Sequence, residues 1–323
     1  MQQLLDRLVQ PAFNNPLLAE RHDSALFESG GVRYAFTTDS YVVKPLFFPG
    51  GDIGKLSVCG TLNDLAMAGA RPMFLSTALI IEEGLPVADL ERVLHSMAET
   101  AQAAGVAIIT GDTKVVERGR GDGLYITTAG IGQVPDGIHI TPTAVQPGDT
   151  IIINGDIGRH GMAIMAQREG LTMETVMESD CADLSGLVRS LLDAGIEIHC
   201  LRDLTRGGLA SALIEIAQSA DVEMTLEEAH IPVREDVRGA CEILGFDPAY
   251  VANEGRFAAF IPSDQAARAL EILKQNPLGA SAAAVGTVVN SVPKGMGRVS
   301  MKTPYGAERR LILMSGEQLP RIC

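Results

Sequence analysis

Segments typical of β-strands alternate with segments typical of α-helices along the whole chain, and this order restricts the fold more than any other feature. Short apolar runs predict strands at 32–38, 73–81, 106–110, 124–131, 150–153, 196–201, 257–261, 283–289 and 310–314. Helical periodicity predicts helices at 53–70, 85–105, 162–167, 184–192, 208–219 and 265–274, with an amphipathic surface helix over Leu4, Leu5, Leu8, Val9 and Phe13. The alternation indicates an α/β (α+β) protein.

The alternation is interrupted once, at residues 135–149, where prolines and glycines replace any sustained apolar run. A chain of 323 residues suits about two domains of roughly 150 residues each. We therefore expect a first domain over residues 1–146 and a second over residues 147–314. Residues 315–323 have no apolar periodicity and are expected to form a mobile tail.

Composition and charge exclude several classes of protein. The net charge of −14 disfavours binding to nucleic acid or to anionic membrane surfaces, and the N-terminus does not resemble a signal peptide. The five cysteines include no C-x-x-C pair, so zinc and redox motifs are not indicated and a reducing compartment is expected. We expect a cytoplasmic protein with no nucleic-acid and no membrane partner.

Four aspartates of the first half are candidate ligands. Asp39 follows a predicted strand, Asp52 lies in a glycine-rich loop, Asp64 follows Asn63, and Asp112 lies in the run 110–114. Carboxylate oxygens are the ligands that Mg²⁺ prefers, and Mg²⁺ usually shares its coordination sphere with substrate phosphates. Lys55 and Lys114 could compensate phosphate charge. Taken singly, each aspartate has an ordinary alternative as a helix cap or a turn residue. Gly111-Asp112-Thr113-Lys114 is expected at the C-terminal end of the buried strand 106–110.

Two motifs of the second half have equally plain alternatives. The segment 202–208 precedes an apolar helix and could simply shape the start of that helix, and Asn253-Glu254-Gly255 could be a turn before a strand. His160 is expected to be a loop residue rather than a metal ligand, because no second His or Cys stands at ligand spacing.

The chain ends on a cysteine, Cys323, after a segment with no core to pack into. A frayed end is the ordinary interpretation of such a segment. An exposed cysteine is unusual, however, because free cysteine is among the most buried residue types and an exposed thiol is reactive. Prenylation does not explain it, since that signal needs three further residues after the cysteine.

Together, in their order along the chain, these motifs resemble the aminoimidazole ribonucleotide synthetase superfamily of ATP-dependent enzymes. The motifs are Asp39-Ser40, Gly54-Lys55, the run 63–70, Gly111-Asp112-Thr113-Lys114, the run 203–208 and Asn253-Glu254-Gly255. The ending Pro320-Arg321-Ile322-Cys323 resembles that of one branch, the carbamoyl dehydratases of [NiFe] hydrogenase maturation. That family carries a glycine-rich segment before its first helix, which this sequence lacks, so we expect a truncated chain or a misassigned start codon.

The resemblance implies a two-domain homodimer whose first domain dimerises through its sheet and binds ATP and Mg²⁺ near the interface. It implies that the carbamoyltransferase HypF places a carboxamide on the thiol of Cys323. The enzyme then dehydrates this carboxamide to a thiocyanate with ATP, and the HypC–HypD scaffold complex accepts the cyanide.

Residue roles follow from the same resemblance. Cys323 would carry the substrate, Lys114 would assist phosphoryl transfer and Glu254 would remove the nitrogen proton. The expected nucleotide contacts are Asp39, Lys55, Asn63, Asp64, Gly111, Asp112, Thr113 and Asn253, and the expected metal ligands are drawn from Asp39, Asp52, Asp64 and Asp112. Two alternatives stay open: another ATP-dependent enzyme of the superfamily, such as a ribonucleotide synthetase or thiamine-phosphate kinase, or a scaffold whose exposed Cys323 docks a partner or a metal without turnover.

Overall fold

The computed structural model describes residues 5–18, 22–170 and 176–313 of the chain. The helical elements of the first half are a π-helical turn at Leu5–Val9, α1 (Gln10–Phe13), α2 (Ile53–Met67) and α3 (Val87–Ala103). Its strands are β1 (Ala25–Ser29), β2 (Val32–Tyr41), β3 (Phe47–Phe48), β4 (Gly51–Asp52), β5 (Arg71–Glu82), β6 (Ala107–Val116) and β7 (Leu124–Val134). Strands β3 and β4 form a hairpin, and the others form one sheet in the order β1-β2-β7-β5-β6. Within this sheet β5 and β6 are parallel, and the other neighbouring pairs are antiparallel.

The two faces of this first sheet differ in what covers them. Thr37 and Tyr41 of β2 are buried on the face against which α2 packs, which we call the inner face. Phe36 directly precedes Thr37 in the strand and therefore points to the opposite, outer face. The register places Phe36 in one row with Ile131 and Phe74, and both phenylalanines are exposed. The outer face therefore presents apolar side chains to solvent.

Helix α2 is fixed by a side-chain cap and by a close helix contact. Asp52 precedes the helix in an extended conformation, and its Oδ1 accepts hydrogen bonds from the backbone N–H groups of Gly54 at 2.7 Å and Lys55 at 3.2 Å. A Cβ atom on Gly54 would lie 2.4 Å from the carbonyl oxygen of Val93, so only glycine allows α2 and α3 to approach this closely. Nearly every residue of α2 is buried.

A second sheet organises the other half of the chain. The helices here are α4 (Arg159–Arg168), α5 (Ser185–Asp193), α6 (Gly208–Ala220), α7 (Glu235–Leu244) and α8 (Ala266–Lys274). The strands are β8 (Asp149–Ile153), β9 (Cys200–Asp203), β10 (Val222–Glu227), β11 (Phe257–Pro262), β12 (Ala283–Ser291), β13 (Arg298–Lys302) and β14 (Glu308–Leu311), in the sheet order β14-β13-β10-β12-β8-β11-β9. The pair β10–β13 is parallel, and the other neighbours are antiparallel.

The two halves share an apolar core at the C-terminal end of α2. Ala66 and Met67 of α2 belong to one buried cluster with Leu187 of α5, Ile198, and Phe257 of β11. Burial of this kind stabilises by roughly 25 cal/mol per Å² of apolar surface removed from water. The last turn of α2 is therefore held against the second half of the chain.

Most predicted elements are present with shifted ends, and one was placed wrongly. Strand β2 continues through Asp39 to Tyr41, and α2 ends at Met67 rather than at residue 70. The prediction that Gly111 to Lys114 follow a buried strand is wrong. These residues lie in the middle of β6, an edge strand that is exposed along most of its length. Edge strands tolerate such polar residues because one side of the strand has no ladder partner.

No predicted element corresponds to β1, β3, β4, β10, β13 or α7. The N-terminal segment is helical as predicted, but the described side chains Leu8 and Phe13 are largely exposed. Leu4 and the tail residues 314–323 lie outside the described residues. Among the helices that the structure describes, none combines the length and the apolar character that crossing a membrane requires.

Candidate functional site

Three carboxylates from distant parts of the sequence meet where the two halves join. Asp23 precedes β1, Asp64 lies near the C-terminal end of α2, and Asp203 is the last residue of β9. One oxygen of each carboxylate lies within 4.8 Å of an oxygen of the others. We call Asp23, Asp64 and Asp203 the acidic cluster. It exists because the shared core holds the end of α2 against β9.

Hydrogen bonds and one ion pair hold the acidic cluster in place. The Thr37 hydroxyl lies 2.7 Å from Asp64 Oδ2 and 3.0 Å from the Asp23 carbonyl oxygen. Arg202 Nε lies 3.0 Å from Asp23 Oδ1. Asp23 Oδ2 is buried and has no hydrogen-bond partner among the described residues. An unpartnered buried oxygen is costly, so this oxygen is suited to a ligand that the protein itself does not supply.

Mutual repulsion and burial favour protons or a cation at this cluster. Burial, followed by the charge of Asp203, raises the pKa of Asp64 well above its ordinary value. Burial, followed by the charge of Asp23, raises the pKa of Asp203 to about 8. A divalent cation would offset this repulsion, and a donor set made only of carboxylate oxygens suits Mg²⁺. The residues present therefore fit a Mg²⁺ ion.

Asp39 and Glu254 lie near the acidic cluster without belonging to it. Asp39 is in β2 on the inner face. Burial raises the pKa of Asp39, and hydrogen bonds from Ser40 and Tyr41 and the charge of Arg206 oppose the shift. Glu254 is only 2% exposed, and its Oε1 has no hydrogen-bond partner among the described residues. Burial, followed by the charges of Cys181 and Asp203, raises the pKa of Glu254 well above its ordinary value. A buried carboxyl of this kind can accept or return a proton.

The side chains of two predicted nucleotide contacts, Asn63 and Asn253, connect segments of the protein. Asn63 donates from Nδ2 to the carbonyl oxygens of Ala182 at 3.1 Å and Glu254 at 3.4 Å, and its Oδ1 accepts from the backbone N–H of Leu184 at 2.8 Å. Asn253 donates from Nδ2 to two carbonyl oxygens, and its Oδ1 accepts from the backbone N–H of Gly158 at 2.6 Å. Both amides therefore brace the backbone around Glu254.

The predicted metal set of Asp39, Asp52, Asp64 and Asp112 does not converge on one ion within a single chain. Asp52 caps the first turn of α2, and twelve residues of helix place it about 18 Å from Asp64 along the axis. Its Oδ2 also accepts a hydrogen bond from the Ser96 hydroxyl at 2.6 Å. Lys55, in the same turn, donates from Nζ to the Gly50 carbonyl oxygen at 3.0 Å.

Strand order separates the segment 111–114 from the acidic cluster. Asp39, Thr128, Thr77 and Gly111 form one row across β2, β7, β5 and β6, so three strand spacings put Gly111 about 14 Å from Asp39. Gly111 and Thr113 belong to the inner face, whereas Asp112 and Lys114 alternate to the outer face. Both side chains are exposed there, and Lys114 Nζ lies 3.7 Å from Asp112 Oδ2. Within one chain they therefore lie on the opposite side of the sheet from Asp64.

Cys323 lies outside the described residues, so the structure does not place it. The cysteines at 59, 181, 200 and 241 are free and buried. Burial makes them poor candidates for accepting a group from a partner. His160 is a buried residue in the first turn of α4 rather than in a loop, and its Nδ1 lies 2.9 Å from the Ser179 hydroxyl.

Two of the three residues in the acidic cluster, Asp23 and Asp203, were not among the metal ligands predicted from sequence. Asp203 ends a strand before a glycine-rich helix start, the same signal that singled out Asp39 and Asp112, and it could have been chosen on that ground. Asp23 precedes a strand that was itself not predicted, and no pattern in the sequence marks it.

Comparisons with known proteins agree over the whole chain. The family described as AIR synthase related protein, N-terminal domain, matches residues 21–134, and its C-terminal counterpart matches residues 146–296. The chain is 52% identical over 323 residues to "Carbamoyl dehydratase HypE" of Azotobacter vinelandii, and the alignment covers 100% of this chain and 94% of that protein.

Two solved structures are similar in both fold and sequence. A "HypE-HypF complex" chain superposes with a TM-score of 0.91 at 45% identity and covers 96% of this chain and 99% of its own length. A "Hydrogenase Maturation Protein HypE in complex with ATP" gives a TM-score of 0.87 at 44% identity and covers 100% of this chain and 96% of its own. At this identity the likeness extends beyond fold.

Proposed function

The chain belongs to the HypE family of carbamoyl dehydratases in hydrogenase maturation, and we propose that it converts a carboxamide on the sulfur of Cys323 to a thiocyanate with ATP. The observation that carries this proposal is the full-length identity to carbamoyl dehydratases, which leaves no part of the chain unmatched. The acidic cluster and the buried Glu254 supply the two kinds of group that such a dehydration needs.

The reaction removes one water from an amide in two steps. The amide oxygen attacks the γ-phosphorus of ATP, the bond between that phosphorus and the bridging oxygen of ADP breaks, and the amide oxygen becomes a phosphate ester. The nitrogen loses one proton as the neutral O-phosphorylated imidate forms, and loss of its second N–H proton then allows the C–O bond to break, which forms the C≡N bond of the thiocyanate and releases phosphate. Phosphoryl transfer depends mainly on positioning and charge stabilisation, whereas the second step needs a base.

We assign the second step to Glu254. Its carboxyl is buried, and its Oε1 is left without a hydrogen-bond partner in the described chain, so an incoming N–H group can bind it without displacing a protein contact. Asn63 and Asp180 hold the backbone on either side: Asn63 donates to the Glu254 carbonyl oxygen, and Asp180 accepts from the N–H groups of Glu254 and Gly255. Burial raises the pKa of Glu254 well above its ordinary value, which makes this carboxylate a stronger base than an exposed glutamate.

We assign the metal to Asp23, Asp64 and Asp203, in place of the set expected from sequence. Asp39 stands at the solvent side of this cluster and would face the nucleotide. Mg²⁺, when bound, supplies positive charge against the triphosphate. The protein residues contribute the fixed carboxylate oxygens and the Thr37 hydroxyl that orients Asp64.

The segment Gly111-Asp112-Thr113-Lys114 would serve the site of a second copy of the chain. Within one chain Asp112 and Lys114 lie on the outer face, where Lys114 pairs with the exposed Ile80 of β5. Exposed apolar surface of this kind marks protein interfaces. A homodimer formed through this face would bring Lys114 of one copy toward the nucleotide of the other.

We propose HypF as the carboxamide donor, because one structurally similar protein forms a complex with HypF. The HypC–HypD complex as cyanide acceptor and a cytoplasmic location are expectations from the family resemblance alone. They agree with the net charge of −14, which does not favour anionic membranes or nucleic acid.

Mass spectrometry of the C-terminal peptide tests the proposed function. After loading by the carbamoyltransferase, the peptide should carry a carboxamide on Cys323, and ATP should convert it to a species lighter by one water. A Cys323→Ala variant should bind nucleotide normally and form no product. Product in that variant, or a modification at Cys59, Cys181, Cys200 or Cys241, would contradict the proposal.

A further inference from the structure

A cavity of about 420 Å³ in the second half of the chain shares no residue with the acidic cluster or with Glu254. Its charged lining consists of Arg159, Arg234, Arg256 and Asp156. Its apolar lining includes Pro232, Val233, Pro277 and Leu278. The volume is within the range of pockets that hold small molecules, roughly 300–1,000 Å³.

The protein fixes the orientation of the three guanidinium groups. Asp156 is shared: its Oδ2 lies 2.7 Å from Arg159 Nε and its Oδ1 accepts from Arg256 Nη2 at 2.9 Å. Arg256 is 4% exposed and also donates to the carbonyl oxygens of Asp156 and Gly255. Arg234 is held by both oxygens of Asp236, at 3.0 and 2.6 Å. Guanidinium groups held in this way lose little further entropy when a ligand binds.

These contacts leave donors for a ligand. Each guanidinium has five N–H donors and no acceptor. The contacts between Arg159 and the rest of the described chain involve Nε, so its terminal amino groups have no hydrogen-bond partner there. A ligand of this cavity must therefore present several acceptor oxygens, as an oxyanion does.

The balance of charge limits how such a ligand is held. Asp156 and Asp236 pair with the guanidinium groups, and buried Asp180 lies 3.9 Å from Arg256 Nε. The three carboxylates offset the three positive charges, so N–H geometry matters more than net attraction. A tetrahedral phosphate with three free oxygens suits donors from several directions better than a planar carboxylate does.

We propose that this cavity is a second anion site that binds a small phosphate monoester, separate from the proposed ATP site. Its phosphate oxygens accept N–H groups of Arg159 and Arg234, and its organic part lies against Pro232, Val233 and Leu278. Inorganic phosphate shares the phosphate chemistry but makes none of the apolar contacts. It should therefore bind more weakly than an ester.

Calorimetric titration of metal-free, nucleotide-free protein with phenyl phosphate and with inorganic phosphate tests the proposal. Phenyl phosphate should bind saturably and more tightly than inorganic phosphate. Arg159→Gln and Arg234→Gln should each weaken phenyl phosphate binding by about tenfold, the loss expected for one hydrogen bond to a charged group. Arg234 is the safer variant for folding, because it is half-exposed.

Two control variants separate this site from other surfaces. Arg189→Gln removes an exposed arginine that pairs with Asp193 at 3.2 Å and does not line the cavity, so binding should be unchanged. Asp64→Asn alters the acidic cluster and should also leave phenyl phosphate binding unchanged. Absence of saturable binding, retention of full affinity in both arginine variants, or loss of affinity in Asp64→Asn would overturn the proposal.

Discussion

At the scale of single residues, Glu254 and Asp203 show how burial sets the chemistry of a carboxyl group. Both sit where water is excluded and other carboxylates are close, so the charged form is disfavoured and the pKa rises. A carboxylate in these conditions binds a proton more tightly than an exposed one does. The two residues use this property differently: Glu254 stands apart with a free oxygen, whereas Asp203 has two carboxylate neighbours.

Glu254→Gln should separate the two chemical steps. Glutamine keeps the shape of the side chain but cannot accept the nitrogen proton, so phosphoryl transfer to the carboxamide should continue while thiocyanate formation slows by roughly 10²–10⁴-fold. Rapid-quench measurements with labelled ATP and carbamoylated Cys323 can follow both steps. Glu99→Gln, at an exposed position of α3, is the matched control and should behave like wild type. Normal thiocyanate formation in Glu254→Gln would remove Glu254 from the role of base.

The acidic cluster should bind Mg²⁺ more tightly as the pH rises toward 8. The pKa of Asp203 is raised to about 8 from its ordinary value of 3.8, so at lower pH the metal must displace a proton. The folding stability of the metal-free protein changes with pH in the opposite direction and falls as the pH rises. A carboxyl whose pKa is raised by folding stabilises the folded state below its unfolded pKa, and that contribution is lost as the pH rises through the folded pKa.

Thermal denaturation with and without Mg²⁺ measures both effects. The increase in Tm on adding Mg²⁺ should be larger at about pH 9 than at about pH 6, and Asp203→Asn should flatten this dependence. An equal increase at both pH values in the wild type would show that Mg²⁺ binds elsewhere.

Part of the candidate site could be predicted from the order of motifs along the chain, and the rest depends on contacts that form only on folding. Asp64 and Glu254 lie in motifs with a recognisable order, and both are close to the acidic cluster or in it. Asn63 and Asn253 belong to the same motifs, but their amides are occupied by backbone groups that only the folded chain brings near. Spacing along a sequence does not reveal such competition for hydrogen bonds.

At the scale of elements, α2 and β6 show what periodicity can and cannot predict. The run of apolar and small residues over α2 predicted a helix that is present within a few residues of its expected ends. The run Gly111 to Lys114 has no apolar residue and indicated a loop, yet it is a strand because β5 supplies a full ladder of partners on one side. Its place at the sheet edge depends on strand order, which local sequence does not encode.

Gly54→Ala should destabilise the protein, because the new Cβ would lie 2.4 Å from the backbone carbonyl oxygen of Val93 and would push α2 from α3. We expect a loss of about 1–3 kcal/mol in the free energy of unfolding, typical of overpacking. Gly239→Ala is the matched control: Gly239 also lies within a helix, α7, with no atom near its added Cβ. That change should stabilise by about 0.5–1 kcal/mol through helix propensity. Chemical denaturation measures both, and equal effects would contradict the packing argument.

At the scale of the whole molecule, the acidic cluster and Lys114 lie on opposite sides of the first sheet. The end of α2 and the end of β9 meet in the shared core, and this meeting creates the acidic cluster. The outer face of the first sheet points away from it, with Lys114 beside exposed apolar side chains. If Lys114 takes part in catalysis, it must act on a neighbouring chain.

Mixing two inactive variants tests this arrangement. Lys114→Ala and Asp64→Asn should each lower the rate of the ATP-consuming step, for Lys114→Ala by about 10²–10³-fold if it is a preorganised electrostatic donor. If Lys114 serves the partner's site, a mixed dimer contains one site with both residues intact and one site lacking both. After subunit exchange in an equal mixture, random pairing in a twofold-symmetric dimer should restore roughly a quarter of wild-type activity.

The same mixture distinguishes the opposite arrangement without further variants. If Lys114 acted within its own chain, every site of a mixed dimer would lack either Lys114 or Asp64, and no activity would return. If Lys114 serves the partner's site, mixing Lys114→Ala with Glu254→Gln should also restore activity. Glu254 is hydrogen-bonded to Asn63 and Asp180 of its own chain and lies on the same side of the molecule as Asp64. Mixing Asp64→Asn with Glu254→Gln should restore none, since both residues then belong to one chain's site. Recovery in the first two mixtures together with failure in the third would establish that each complete site needs two copies of the chain.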